Sequence, residues 1–133
     1  AQNYDNAYTS DDGAGYQCSQ PYSVAEDIGS LTFYFVGIPA VPATQDFNIE
    51  FYQAGATPGA VIEAFTATVD AVDIGEILLG SYPIYSFTVT LPTAITEHDG
   101  WVSVHAAASG NTFYWVDNTA GTGSGWQTPN NAT

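Results

Sequence analysis

The chemically reactive side chains of this chain are almost all acidic. Its 133 residues include fourteen Asp and Glu, two His and one Cys but no Lys or Arg, which gives a net charge of −14. A nucleic acid or an anionic lipid surface is recognised by clustered cations, which are absent here. We therefore expect no nucleic-acid partner. We also expect no membrane insertion, because no apolar run is long enough to span a bilayer.

The sequence offers little support for catalysis. His98 falls in a predicted turn, and His105 lies on a predicted strand, facing opposite to Val104. No Gly-x-Ser-x-Gly motif supplies a serine nucleophile. Among so many acidic residues, some pair of carboxylates suited to glycoside hydrolysis will always be found, so such a pair is not specific evidence for a glycosidase. We expect a protein that is not an enzyme, with a hydrolase accessory or catalytic domain as a distant alternative.

Acidic loops could hold calcium, which binds carboxylate and carbonyl oxygens. The candidate metal ligands are Asp5, Asp11, Asp12 and Asp117, none of them at EF-hand spacing. A bound divalent ion would relieve the self-repulsion of so acidic a domain. The alternative is a solvated acidic loop without an ion. A zinc site built on the two His lacks further ligands.

Aromatic rings are the candidate ligand-binding groups, because exposed rings give sugars a surface on which to stack. Trp126 lies in a Gly-rich segment, and Tyr52 and Tyr114 fall on the outward phase of their predicted strands. Trp101 and Trp115 are better suited to the interior, where large rings commonly fill cores. The alternatives for the three candidate rings are ordinary packing and burial against a neighbouring subunit.

Cys18 is the only cysteine, so an internal disulfide is excluded. Its thiol could be a small semi-buried group, a partner in an intermolecular disulfide, or a metal-binding or catalytic group. Ala1-Gln2 is compatible with a mature start left by a signal peptidase. Together with the richness in Gly, Tyr, Thr and Asn, this start predicts a secreted protein, located extracellularly or at a cell surface.

Alternation of apolar and polar residues dominates the middle of the chain and predicts strands. Turn residues separate these short segments, and no convincing helix appears. The pattern predicts an all-β fold, an antiparallel β-sandwich or jelly roll. We divide the chain into a polar N-terminal leader or edge segment (1–27), the sandwich core (28–117) and a Gly- and Asn-rich C-terminal loop (118–133). The segments with the clearest alternation contain Leu31, Phe33 and Phe35, then Phe47, Ile49 and Phe51, and then Tyr85, Phe87, Val89 and Leu91 before Pro92, which is predicted to end its strand.

The last sixteen residues contain no apolar strand that would close the sandwich. An unprotected sheet edge recruits other strands. We therefore expect an open edge, completed by another chain or by the N-terminal leader. This expectation supports an alternative function, a structural subunit of an extracellular filament or layer assembled by strand complementation.

The alternating segments resemble β-sandwich modules of secreted bacterial exoproteins and adhesins, including those exported by type IX secretion. The resemblance covers roughly residues 24–117 and consists of packing patterns, with no catalytic residue among them. It implies a secreted accessory module that is adhesive or associated with carbohydrate. The family usually closes with an apolar strand after the Gly-rich loop, which is missing here. The matching pieces are Ile28 to Tyr34, Phe47 to Tyr52 leading to Thr57-Pro58-Gly59, Tyr85 to Pro92, Trp101 to Val104 and Phe113 to Trp115.

These observations favour a non-enzymatic module for adhesion or recognition at a cell surface or extracellular matrix. The expected partner is a glycan or another surface polymer, and self-assembly with identical subunits is the alternative.

Overall fold

The computed structural model describes the backbone of residues 4–78, 81–118 and 126–129, and the side chains of residues 8–78 and 81–116. This part of the chain forms ten strands and no helix, so no helix in it could cross a membrane. The strands are β1 (Tyr4–Thr9), β2 (Tyr16–Ser23), β3 (Ile28–Ile38), β4 (Thr44–Tyr52), β5 (Val61–Asp70), β6 (Val72–Leu78), β7 (Tyr82–Ile95), β8 (Asp99–Ala106), β9 (Thr112–Asn118) and β10 (Trp126–Pro129).

Two antiparallel sheets of five strands face each other. Sheet 1 has the order β1-β9-β3-β7-β6, and sheet 2 has the order β10-β2-β8-β4-β5. Without β6 and β10, four strands remain in each sheet, in the connectivity of a jelly roll with two Greek keys. The predicted β-sandwich of jelly-roll type is therefore confirmed, with one extra strand at an edge of each sheet.

The predicted alternation places a cluster of phenylalanine rings between the sheets. Phe47 of sheet 2 is fully buried, and its ring contacts four rings of sheet 1 with centroid distances of 4.7 to 6.0 Å. Three of these contacts are edge-to-face and the one with Phe35 is tilted, and ring contacts of this kind add to the stabilisation from buried apolar area. The four partner rings are Phe33, Phe35, Phe87 and Phe113.

Sheet 1 curls around a second, smaller core. Its two edge strands, β1 and β6, contact each other although three strands separate them in the sheet. The curl covers part of the outer face of sheet 1, where apolar side chains would otherwise meet water. The buried members are Val36, Leu78, Ile84 and Val116, with Tyr34, Ile74 and Tyr114 packed against them.

Both ends of the chain are more integral to the sheets than we expected. The 1–27 segment supplies β1 at an edge of sheet 1, and it also supplies β2, which lies between β10 and β8. We expected no closing strand in the C-terminal segment, but that segment supplies β10. This strand pairs with β2 from Trp126↔Ser19 to Pro129↔Tyr16. The four residues of this strand show no apolar periodicity, so the sequence pattern did not reveal it.

The prediction that Pro92 ends its strand is wrong, since β7 continues to Ile95. Regular pairing with β3 runs to Ser30↔Thr90, shifts register, and resumes at Ile28↔Ile95. Pro lacks an N–H donor and is tolerated where a ladder is interrupted in this way.

We expect Phe47→Ala to lower the free energy of unfolding by about 3–5 kcal/mol, because it removes a ring that four others surround. Urea denaturation followed by circular dichroism measures the loss. Val72→Ala is the control, since Val72 is 55% exposed and its truncation should change stability by about 0.5 kcal/mol or less. A loss below about 1 kcal/mol in Phe47→Ala would contradict this description of the core.

Candidate functional site

The chain crosses from sheet 1 to sheet 2 in a corner built on Asp11, which is 1% exposed. Oδ1 of Asp11 accepts hydrogen bonds from the N–H groups of Gly13 (2.8 Å) and Ala14 (3.2 Å), and Oδ2 accepts one from Phe113 (2.8 Å). Burial raises the pKa of Asp11 above 3.8, and these three N–H donors oppose that rise. Asp11 thus fixes the turn to β9.

Ser10 joins the same corner to sheet 2. Its hydroxyl donates to Val104 O at 2.6 Å and accepts from the N–H of Cys18 at 2.9 Å. The turn closes at Gly15, whose φ of +83° favours glycine. The N–H of Asp12 donates to Ala106 O at 2.8 Å. These bonds hold the backbone of Asp12 at the end of β8.

The side chain of Asp12 meets His105 on the outer face of sheet 2. Strand β8 directs Val102, Val104 and Ala106 into the core, so His105 faces the other way, as predicted. His105 is nevertheless only 6% exposed. Its Nδ1 lies 2.5 Å from Asp12 Oδ1, and its Nε2 lies 2.9 Å from Glu50 Oε2. One imidazole therefore joins two carboxylates from separate elements.

This geometry fits the doubly protonated form of His105. A neutral imidazole has one N–H and could donate to only one of the two carboxylates. Burial alone would lower the pKa of His105, but the hydrogen bonds and charges of Glu50 and Asp12 outweigh burial and raise it above 6.5. Burial acts in the opposite direction on Glu50 and would raise its pKa. The interactions of Glu50 with His105 and Tyr52 outweigh burial and hold that pKa below 4.5. The two carboxylate partners thus favour the cationic form of His105, in a chain without Lys or Arg.

Hydrogen bonds extend this cluster on both sides along the outer face of sheet 2. Asn48 Nδ2 donates to Asp12 Oδ2 at 2.5 Å, and Thr66 Oγ1 donates to Asn48 Oδ1 at 2.6 Å. The neighbouring pair, Thr68 and Asp46, repeats the arrangement, with the Thr hydroxyl donating at 2.5 Å. The polar row thus runs from β5 through β4 to β8.

At the other end, Tyr52 links β4 to β2. Its hydroxyl donates to Glu50 Oε1 at 2.7 Å and accepts from Gln17 Nε2 at 3.4 Å. Burial and the hydrogen bond to Glu50 raise the pKa of Tyr52 to about 12. Strand β8 lies between β2 and β4, so this link crosses it; Ser103, opposite Glu50 on β8, is fully buried. We call Asp12, Asn48, Glu50, Tyr52, Thr66 and His105 the outer-face network.

The two predicted ring residues with described side chains, Tyr52 and Tyr114, do not converge. Tyr52 is part of the outer-face network on sheet 2, whereas Tyr114 packs against the small core of sheet 1. The side chain of Trp126 lies outside the described residues. Trp115 packs against the inter-sheet core with its ring 6.0 Å from Phe35, as predicted. Trp101 is buried, but on the outer face of sheet 2, beside Tyr52.

The four predicted calcium ligands fall at two separate places. Asp5 and Asp117 lie on the paired strands β1 and β9, and their side chains lie outside the described residues. Asp11 and Asp12 are at the corner, about 20 Å further along the chain at strand spacing. Asp11 is bound by backbone N–H groups, and Asp12 by His105 and Asn48. Among the described side chains, no group of three His, Cys, Asp or Glu could hold a metal ion.

Cys18 is buried at 4% exposure, and its thiol lies 3.3 Å from Thr9 O. Burial raises the pKa of Cys18 to about 12, so the thiol is protonated at neutral pH. A protonated, buried thiol is a poor nucleophile and a poor metal ligand. Of the alternatives left open by the sequence, the small buried thiol fits this environment best.

The sequence indicated the outward direction of His105 and Glu50 but not their meeting. That meeting depends on β4 and β8 being neighbours in sheet 2, which pairs Asn48 with His105 and Glu50 with Ser103. It also depends on the Asp11 corner. The alternation along β4 indicated a polar outer face, but an antiparallel strand with one solvated face shows the same alternation, so the sequence held no signal specific to the network.

Comparisons of this chain with models of known protein families, with curated proteins and with solved structures find no match. The class of protein is therefore defined by the fold and the site. It is a jelly-roll sandwich whose second sheet presents a hydrogen-bonded acidic network with one buried histidine.

We expect stability to fall as the pH rises through the folded-state pKa of His105. That pKa is raised, so the contribution of His105 is complete below about pH 6.5 and is lost above the folded pKa. Glu50 acts at the acid end, where its contribution is lost as the pH falls through its lowered pKa. Urea denaturation between about pH 6 and 8.5 measures the fall. Above that range Cys18 and Tyr52, both raised to about 12, also lower stability.

His105→Gln should lower stability at pH 6 by about 2 kcal/mol, since hydrogen bonds to charged groups are lost, and should flatten the profile up to pH 8.5. His98→Gln is the matched control. His98 lies 2.8 Å from Asp27, but both side chains are about half exposed, and exposed pairs contribute little. The assignment of the pH dependence to His105 would be contradicted if His105→Gln left the slope of stability against pH unchanged, or if His98→Gln flattened that slope.

Proposed function

We propose that this protein is a secreted, non-enzymatic module that recognises a neutral glycan at a cell surface or in an extracellular matrix. The observation that carries the proposal is a row of fixed polar side chains on the outer face of sheet 2, which consists of the outer-face network and the neighbouring pair Asp46 and Thr68. Carboxylate, amide and hydroxyl groups there are held by one another in set orientations. Groups ordered before binding lose less entropy when a ligand arrives.

The chemistry of the row favours ligands that donate hydrogen bonds. Asp46, Asn48 and Glu50 present oxygens with spare lone pairs, and Asp46, Thr66 and Thr68 are exposed. Sugar hydroxyls can donate to such oxygens. Sulfated or uronic polymers only add negative charge, which a chain with a net charge of −14 repels. The row therefore suits uncharged, hydroxyl-rich ligands.

Several features disfavour catalysis at this site. Both ring nitrogens of His105 face carboxylates, so the imidazolium has no free lone pair with which to act as a base. The Cys18 thiol is buried, with a pKa of about 12. Secretion is supported by the composition and by the resemblance to exoprotein modules, and it rests on the sequence.

A glycan array followed by isothermal titration calorimetry, with and without calcium, tests the proposal. We expect binding to neutral glycans and none to matched sulfated or uronic ones. Tyr52→Phe should weaken binding about tenfold or more, because Glu50 loses the hydroxyl that orients it. Tyr82→Phe, the same change at an exposed tyrosine of sheet 1, should leave binding unchanged. Absence of binding to every neutral glycan, or a preference for anionic ones, would refute the proposal.

A second candidate function, self-assembly, is favoured by strand β5. This ten-residue strand is an edge of sheet 2 and, within the described residues, pairs with β4 alone. It contains no Pro, Gly or Lys that would discourage pairing. Its two charged residues, Glu63 and Asp70, can each face an uncharged residue when two copies of β5 pair antiparallel. Such pairing would support a filament or layer subunit.

Sedimentation analysis over a concentration series tests this second function. We expect reversible association that strengthens between about 50 and 500 mM NaCl, as salt screens the negative charge. Ala64→Glu places two like charges near the shared edge and should weaken association about tenfold at low salt. Ala25→Glu adds the same charge in the exposed β2–β3 connection and is the control. A monomer under all conditions, or equal effects of both variants, would exclude pairing through β5.

A further inference from the structure

Trp101 occupies an unusual place for a tryptophan that is only 6% exposed. It lies on the outer face of sheet 2 and so is separated from the phenylalanine core. In the sheet its neighbours are Pro21 on β2 and Tyr52 on β4. Directly opposed residues hold their Cβ atoms about 5 Å apart. The indole is therefore next to the tyrosine that ends the outer-face network.

Residues 53–60, which connect β4 to β5, reach this indole. The base of the connection is closed by two backbone hydrogen bonds, from Gln53 N to Ala60 O at 2.9 Å and from Gly59 N to Gln53 O at 3.0 Å. Residues 54–57 at the tip are small and exposed. In the described part of the chain, the tip is hydrogen-bonded to the sheet only through Trp101 Nε1, which donates to Gly55 O at 3.0 Å.

This contact holds the tip only weakly against so large a ring. Ala, Gly and Thr side chains bury little apolar area, so they add little hydrophobic stabilisation over an indole. The net effect of one hydrogen bond corresponds to a factor of about three to ten in an equilibrium constant. The closed base and the singly tied tip together form a segment that can lift without disturbing β4 or β5.

We propose that Trp101 is the stacking platform for a pyranose ring in the glycan site and that residues 53–60 are a lid that the sugar displaces. This inference rests on the proposed function and names a subsite within it. The C–H-rich face of a pyranose packs against the negative π face of an indole. A sugar seated there lies within reach of Tyr52 and Glu50, whose orientations are already fixed by their mutual hydrogen bond.

The backbone around Trp101 supports a precise platform. At Gly100, an added Cβ would lie 2.5 Å from Tyr52 O, so β8 and β4 approach more closely than a side chain at this position would permit. This approach keeps the two aromatic residues side by side while the lid moves. Loss of the lid contact therefore leaves the platform in place.

Two substitutions of Trp101 separate the platform from the lid. Trp101→Phe keeps an aromatic ring but removes the N–H that ties Gly55, so affinity should stay within about threefold of the wild type or become up to tenfold tighter. Trp101→Ala removes the ring and should weaken binding at least about tenfold. Trp115→Phe is the control, since it makes the same tryptophan-to-phenylalanine substitution in the inter-sheet core, and it should have no effect on glycan binding.

The measurement is titration calorimetry with cellohexaose, a flat neutral chain, and with every neutral glycan that binds in the array. A third variant replaces residues 54–58 with Asn-Gly, which retains Trp101 and removes the tip. It should bind more tightly and expose Trp101 to acrylamide quenching, and it tests the inference even where Trp101→Ala does not fold.

The outcomes separate this inference from the proposed function. Wild-type affinity in both Trp101→Ala and the Asn-Gly variant, with Tyr52→Phe still impaired, would overturn the platform and leave the glycan site standing. Equal weakening by Trp101→Phe and Trp101→Ala would overturn the lid. No binding of any neutral glycan by the wild-type protein would overturn both.

Discussion

The contact of His105 with Asp12 and Glu50 is the interaction on which the polar side of this fold depends. The imidazolium joins the turn that carries the chain between the sheets to the middle of sheet 2. Asp11, the preceding residue, anchors that turn to sheet 1 through the N–H of Phe113. Two adjacent acids therefore connect opposite sheets, one through backbone donors and the other through a charged side chain.

The absence of Lys and Arg determines how the other acids in this region are accommodated. A buried carboxylate needs hydrogen-bond donors or an opposite charge. Asp11 uses backbone N–H groups, and Glu50 uses a tyrosine and a histidine. Donors of this kind are held in place by the sheets, so each carboxylate keeps its hydrogen bonds in one orientation only. The acids are consequently held in set orientations, which is the property that a recognition surface requires.

Local sequence patterns predicted the strands that build the core because those strands bury one face, as Phe47, Ile49 and Phe51 show. The sequences of β2 and β10 show no alternation of apolar and polar residues, which is why β2 was assigned to a leader or edge segment and β10 was not expected. The site was harder to predict still. His105 and Glu50 are 55 residues apart, and only the order of strands in sheet 2 brings them together. Trp101 was assigned to the interior because of its size, although it shares the outward phase of His105 on β8. Its hydrogen bond to Gly55 was not predictable, since no periodicity describes a loop.

The two sheets leave their outer faces in different conditions, and this difference links the recognition and assembly proposals. Sheet 1 covers part of its own outer face by curling around Val36, Ile84 and Val116. Sheet 2 buries its outer face at β8 but exposes Asp46, Thr66 and Thr68, and its polar row ends on β5, the strand with the unpaired edge. Pairing of two copies through β5 would place Thr66 and Thr68 of each copy side by side and join two rows into one surface. A polymeric glycan long enough to span that surface would bind both copies at once, so assembly would raise avidity without any new contact to the sugar.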